Sequence, residues 1–269
     1  MLETIKETVS FINRKTEIKP EAGIILGTGL GGMVKDIDIQ TVLEYEDIPN
    51  FPVSTVESHH GKLIFGFLNG KRVVAMQGRF HYYEGYTPHE ITFPVRVMKY
   101  LGITHLFVSN ASGGINPVQE IGDLMILDDH INLIPNPLIG MHEPAFGDRF
   151  PDMSETYDKE LIVRALRIGK DNHFPVRQGC YVAVTGPTLE TPKEYQYFRI
   201  IGGDAVGMST VPEIIVAHQM GITCFAISII TDLGVPDKIV KVSLKDVTHV
   251  ASRAEPQMTT IMKDLISGL

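Results

Sequence analysis

The sequence predicts an α/β fold: one domain over residues 1–269, with a central mixed, largely parallel β-sheet flanked by helices. Three observations carry this reading. Short β-branched apolar runs alternate with amphipathic stretches, as in a sheet buried on both faces by crossover helices. A chain of 269 residues with 43% apolar content can bury one large core. No internal repeat, low-complexity tract or linker-like segment divides it.

In chain order, residues 4–14 carry helical apolar spacing, and "AGIIL" (22–26) reads as a buried strand. "KLIFGFLNGKRVVAMQ" (62–77) reads as a hairpin, because Asn69-Gly70 suits a two-residue turn between alternating runs. Helical spacing returns over 91–101, then "THLFVS" (104–109) and "DLMIL" (123–127) read as strands. A helix over 156–170 precedes the strand "YVAV" (181–184). Pro192 and Pro212 stand where helices over 192–201 and 211–220 begin, since the first helical turn needs no N–H partner. "ITCFAISII" (222–230) is a further buried strand. The last helix, 243–267, places Val247, Val250, Met258, Ile261, Met262 and Leu265 on or near one face.

Composition narrows the function. A net charge of -8, with lysine and arginine scattered, argues against nucleic-acid or membrane-surface partners. Two cysteines, Cys180 and Cys224, make neither a disulfide framework nor a CxxC metal site, which suits a reducing compartment and a cytoplasmic location. "MLETIKETVSFINRK" has no apolar leader core, and the apolar stretch around "ITCFAISII" is too short for a bilayer. The sequon at Asn110 is therefore expected to stay unmodified.

Several segments carry chemistry. In "GIILGTGLGG" (23–32), Gly27, Gly29 and Gly32 follow a strand in G-x-G-x-x-G spacing, leaving backbone N–H groups for an anion, with Thr28 adding a hydroxyl. A dinucleotide site also needs a helix and a second apolar strand ending in an acid about 20 residues on. "MVKDIDIQTVLEYEDIPN" offers neither, so a bare phosphate or an unliganded turn remain as readings. In "QGRFHYYEGY" (77–86), Arg79 and His81 project to one side of an extended chain. There a guanidinium fork and a histidine donor suit an oxyanion. A solvated loop with an Arg–Glu pair explains the same residues.

"ESHHG" (57–61) lacks repeated carboxylate–histidine spacing and argues against a metal. "VSNASGGINP" (108–117) ends a strand in small polar residues, at the edge where α/β sheets gather ligands. "TGPTLET" (185–191) presents Glu190, and "DAVGMSTVPE" (204–213) sets Ser209 before a proline-started helix whose N-terminus favours anions. "ISIITDLG" (227–234) ends a strand in Thr231 and Asp232. Helix capping or a surface turn accounts equally for Glu190 and Asp232 taken singly.

Together and in order, the glycine loop, "NFPVSTVESHHGKL", "MQGRFHYYEGY", "TFPVRV", "SNASGGINP", "GDLMILDDHINL", "FGDRFPDMS", "GPTLET", "DAVGMSTVPE" and "ITDLG" closely resemble the trimeric purine nucleoside phosphorylases. The resemblance covers nearly the whole chain. It implies the nucleoside phosphorylase fold and phosphorolysis of purine (deoxy)ribonucleosides by inorganic phosphate. Phosphate would be held by Thr28, Arg79, His81, Ser209 and the backbone N–H of Ala111, with His59 nearby. The sugar would lie over Tyr83 and Met208, its 5′-hydroxyl reaching His249, with Phe150 closing the site from a neighbouring subunit of a homotrimer. Glu190, Thr231 and Asp232 would hold the base and Val206 line its face. His81, Glu190 and Asp232 are the implied catalytic residues, with no metal or organic cofactor.

Asp232 departs from the asparagine typical of 6-oxopurine-specific members. An ionised aspartate cannot donate to N7, whereas a protonated one can, and a carboxylate can accept from a 6-amino group. Activity on inosine and guanosine with wider tolerance of adenosine is therefore expected. The alternatives are a methylthioadenosine phosphorylase, which His249 opposes by offering a polar 5′ partner, a dinucleotide-binding oxidoreductase, and a catalytically silent nucleoside-binding protein.

Overall fold

The computed structural model describes residues 1–28, 30–53, 61–140 and 142–269. Among them, nine strands form one sheet: β1 (Ala22–Leu26), β2 (Asp38–Glu44), β3 (Lys62–Leu68), β4 (Lys71–Gln77), β5 (His105–Gly114), β6 (Leu124–Asn132), β7 (Val176–Ala183), β8 (Ala205–Gly207) and β9 (Thr223–Leu233). Their order is β2-β3-β4-β1-β5-β8-β7-β6-β9, and β5 also pairs with β9. That extra pairing closes β5, β8, β7, β6 and β9 into a ring, which removes their open edges. β1 pairs in parallel with β4 and β5, as does β5 with β9, while β2–β3, β3–β4, β5–β8 and β6–β9 are antiparallel. The sheet is mixed, as expected.

The core strands are continuous apolar runs because both faces are covered: every residue of β1 is buried, and every residue of β9 except Thr223. The expected hairpin is present. Asn69 and Gly70 have φ of 48° and 81°, the paired positive values a type I′ turn requires. All six expected helices form: α1 (Leu2–Asn13), α2 (Pro88–Leu101), α3 (Lys159–Asp171), α4 (Pro192–Ile200), α5 (Val211–Gln219) and α6 (Leu244–Ser267). Thr87, Thr191 and Ser243 close capping boxes at the starts of α2, α4 and α6.

The strands run further than their apolar residues. β5 continues through Asn110 and Ser112 to Gly114, and β9 through Thr231 and Asp232 to Leu233, because the parallel β5–β9 ladder persists where the side chains turn polar. Ser112 pairs with Ile230 and Gly113 with Asp232, so Thr231 is an extra, bulged residue on β9. Successive strand residues normally face opposite sides. The bulge breaks that alternation and lets Thr231 and Asp232 turn toward one cavity.

β2 was not legible as a strand because it is a polar, largely exposed edge, and β8 because it is three residues long. A 3₁₀ turn over Gly31–Asp36 stands where a dinucleotide fold would have its helix.

The β2 edge is pinned through Gly66. A Cβ there would lie 2.7 Å from Ile37 Cγ2 and 3.0 Å from the Asp38 carbonyl carbon. Gly66→Ala should therefore cost about 1–3 kcal/mol by overpacking. Urea titration should show this as a lower midpoint at unchanged slope; an unshifted midpoint would mean that the edge relaxes freely.

Candidate active site

The C-terminal ends of β5 and β9, the segment after β4, the 187–190 and 206–209 loops and the first turns of α6 enclose a cavity of about 380 Å³. Thr28, Arg79, His81, Tyr83, Ala111, Glu190, Val206, Met208, Ser209, Thr231 and Asp232 all line it. Eleven expected residues scattered from position 28 to 232 thus converge on one space. His59 lies outside the described residues. Phe150 is 87% exposed and does not line the cavity. His249 is exposed on α6, while Val247 lines the cavity; two residues along a helix turn a side chain by about 200°.

One end of the cavity gathers a guanidinium and hydroxyl donors. Arg79 is 1% exposed, and its Nε and Nη2 donate to the two carboxylate oxygens of Glu213 at 3.0 and 2.8 Å. Nη1 donates to the Ser109 carbonyl at 2.6 Å and lies 3.5 Å from Ser209 Oγ. A guanidinium has five N–H bonds. Three are used by Glu213 and Ser109 and a fourth reaches Ser209 Oγ, so one, on Nη2, remains among the described residues. Glu213, on the first turn of α5, was not anticipated, because its partner lies 134 residues away.

The Arg–Glu pairing envisaged within residues 77–86 does not form. Glu84 instead accepts from the backbone N–H and Nδ1 of His81, at 2.8 and 2.9 Å. A carboxylate only accepts, so Nδ1 carries the proton. Burial holds the His81 pKa below its ordinary value. That direction favours the neutral ring, whose Nε2 has acceptor character.

Ser209 is held under strain. Thr210 has φ 69° and ψ -56°, and Val211 N donates to Ser209 O at 2.7 Å, a γ-turn that a β-branched residue rarely adopts. Such a conformation costs about 1–3 kcal/mol and persists only when its surroundings enforce it. Here Asn110 Nδ2 donates to Thr210 Oγ1 at 2.9 Å. Asn110 Oδ1 in turn accepts from Ser228 Oγ at 2.6 Å, and Ser228 Oγ lies 2.5 Å from Ser112 Oγ. Asn110 is 1% exposed, and its amide nitrogen and oxygen each have a partner.

The glycine loop approaches β5 closely. A Cβ on Gly27 would lie 2.7 Å from Ser109 O and 2.9 Å from Asn110 Cα. Its far amides meet no open site, because Gly32 N and Met33 N donate to Glu255. Of the loop's described residues Thr28 lines the cavity, while the Gly32 amide, expected to be left for an anion, is taken by Glu255.

The other end holds two carboxylates. Burial pushes the pKa of both Glu190 and Asp232 up, and the Asp232 charge adds to the rise at Glu190. Hydrogen bonds oppose the rise at Asp232: Thr231 Oγ1 lies 2.9 Å from Oδ1, and Tyr195 OH donates to Oδ2 at 3.4 Å. Tyr195, on α4, was also unanticipated. Leu189, Val206, Met208, Leu244 and Val247 give the cavity apolar walls. Among the described residues no cluster of three or more His, Cys, Asp or Glu could hold a metal ion.

The family profile described as "Phosphorylase superfamily" matches residues 21–267. Purine nucleoside phosphorylase 1 of Bacillus subtilis is 48% identical over 270 residues, covering 99% of each chain. The solved Schistosoma mansoni purine nucleoside phosphorylase in complex with adenosine superposes with a TM-score of 0.94 at 41% identity, over 99% of this chain and 97% of that one. The Schistosoma mansoni complex with inosine gives 0.94 at 40%, over 99% and 96%. The chain belongs to the phosphorylase superfamily and, within it, to the purine nucleoside phosphorylases.

Removing one partner of a buried ion pair strands the other charge, at about 3–5 kcal/mol. Glu213→Ala should destabilise the protein by that amount in urea titration. A loss below about 1 kcal/mol would show that Arg79 does not depend on Glu213.

Proposed function

We propose that the chain catalyses reversible phosphorolysis of purine (deoxy)ribonucleosides, giving the free base and (deoxy)ribose 1-phosphate. The observation that carries this reading is one cavity lined by arginine, serine and threonine donors and by two carboxylates, Asp232 buried and Glu190 half-buried. Thr28, the outer edge of Arg79, Ser209 and the Ala111 N–H hold phosphate, with His59 nearby. The neutral His81 accepts from a protonated phosphate oxygen. The sugar lies between, over Tyr83 and Met208; contact with its 5′-hydroxyl requires His249 to turn inward from the exposed face of α6 that it occupies here.

A phosphate oxygen attacks C1′ as the glycosidic C–N bond breaks, through an oxocarbenium-like transition state. Glu213 takes part of the charge of Arg79, so phosphate is positioned without losing its nucleophilicity. The departing purine gathers negative charge, which donors near N7 and O6 stabilise most in the transition state. Glu190 accepts from N1–H and the 2-amino group of a 6-oxopurine. A protonated Asp232, favoured by its burial, donates to N7, and the ionised form accepts from the 6-amino group of adenine. The Schistosoma mansoni relative is captured with inosine and with adenosine, which supports room for both base classes.

Phe150, 87% exposed beside Arg149, is suited to close the cavity of a neighbouring subunit in a homotrimer. Phosphate is the co-substrate, and the chemistry calls for no metal or organic cofactor. Two free cysteines support a cytoplasmic location; among the described residues no helix is long and apolar enough to cross a membrane.

Purified protein should release free base from inosine and guanosine only when phosphate is supplied, with measurable turnover of adenosine and little of methylthioadenosine. Base release without phosphate, or a preference for methylthioadenosine, would contradict the reading. Asp232→Asn should raise the inosine-to-adenosine ratio of kcat/KM about tenfold or more, since a buried polar mismatch discriminates strongly. An unchanged ratio would remove Asp232 from base selection.

A further inference from the structure

The amides that end the glycine loop are bonded from within the protein. Glu255 Oε1 lies 2.5 Å from Gly32 N and 3.3 Å from Met33 N and accepts from both. The carboxylate thus engages two consecutive backbone N–H groups of the 3₁₀ turn by charge-assisted hydrogen bonds. The missing side chain of Gly32 makes the fit: a Cβ there would lie 2.5 Å from Glu255 Oε2 and 2.9 Å from its carboxyl carbon. Glu255 is half-buried in α6, and a second tie, Lys263 Nζ to Asp36 Oδ1 at 2.6 Å, joins α6 to the last residue of the same turn. The 3₁₀ turn is thus clasped to α6 at both ends.

The clasp joins two chain segments that each contribute to the cavity wall. Thr28 lines the cavity just before the turn, and Leu244 and Val247 line it from the start of α6. We propose that Glu255 is a positioning residue for phosphorolysis: its carboxylate engages the Gly32 and Met33 amides and fixes the turn to α6, which holds Thr28 in place for phosphate at the Arg79 and Ser209 end. The inference rests on the phosphate reading above. Glu255 touches no substrate and acts through the loop. Removing its carboxylate frees the turn from α6 and slackens the Thr28 segment, which weakens phosphate binding. The base contacts on β9 and the 187–190 loop do not run through this clasp.

The test compares Glu255→Ala, Glu255→Gln and Gly32→Ala in the full chain. It measures KM for phosphate and for inosine, and calorimetric binding of inorganic phosphate. Glu255→Ala should raise the phosphate KM about tenfold, the order expected for losing hydrogen bonds to a charged group. Its inosine KM should stay within about twofold. Glu255→Gln, whose amide oxygen still accepts from both N–H groups, should recover most of the phosphate affinity. Gly32→Ala, which displaces the carboxylate from the other side, should reproduce the Glu255→Ala defect, and the double variant should be no worse than either.

A purely structural contact would lower Tm and active fraction without separating the two KM values. An active wild type whose Glu255→Ala variant keeps its phosphate KM, or loses affinity for both substrates equally, overturns this inference alone. A wild type that cleaves no nucleoside with phosphate overturns the functional reading as well.

Discussion

The ion pair between the buried Arg79 guanidinium and the Glu213 carboxylate organises one end of the cavity. Arg79 is 1% exposed, and Glu213 takes its Nε and Nη2 edge in a bidentate pair. The pair ties the segment after β4 to the first turn of α5, and Nη1 adds a bond to β5 through Ser109 O. Three elements are thereby fixed around one cation. Only the outer edge of Arg79 is left to a ligand, which sets where an oxyanion can sit and how much charge it meets.

A line of buried hydroxyl and amide groups extends that constraint across the site. From Ser209 and the strained Thr210 it passes through Asn110 and Ser228 to Ser112, whose carbonyl lies 3.2 Å from Thr231 Oγ1. Thr231 in turn meets Asp232. The anion end and the carboxylate end are therefore joined beneath the cavity floor by groups that all have partners. Buried polar groups without partners are costly, so the line resists rearrangement and holds both ends at a fixed separation. The bulge on β9 completes the arrangement by turning two consecutive residues into the same space.

Much of this was legible in the sequence, for identifiable reasons. The apolar runs fixed the core strands, because a sheet covered on both faces excludes polar residues along its length. Asn69-Gly70 and the proline-opened helices followed from backbone preference alone. The polar segments at strand ends marked the residues that line the cavity. What stayed hidden depended on contacts between distant parts of the chain. Glu84 is near Arg79 in sequence and was the natural partner, yet Glu213, 134 residues on, holds it. Gly32 fitted an anion-binding pattern, but its amide is filled by Glu255, 223 residues away. Ring closure through β5–β9 and the short β8 left no periodic signal, since pairing is made by backbone groups every residue carries.

The central claim is that Arg79, locked by Glu213, offers its remaining edge with Thr28 and Ser209 to an inorganic oxyanion. A crystal structure of the protein with bound phosphate tests it most directly. The account predicts phosphate within hydrogen-bond distance of an Arg79 Nη atom, Ser209 Oγ and Thr28 Oγ1, with both Arg79–Glu213 bonds intact. Phosphate on the Gly32 and Met33 amides instead, or an Arg79 that leaves Glu213 to reach it, would contradict the account.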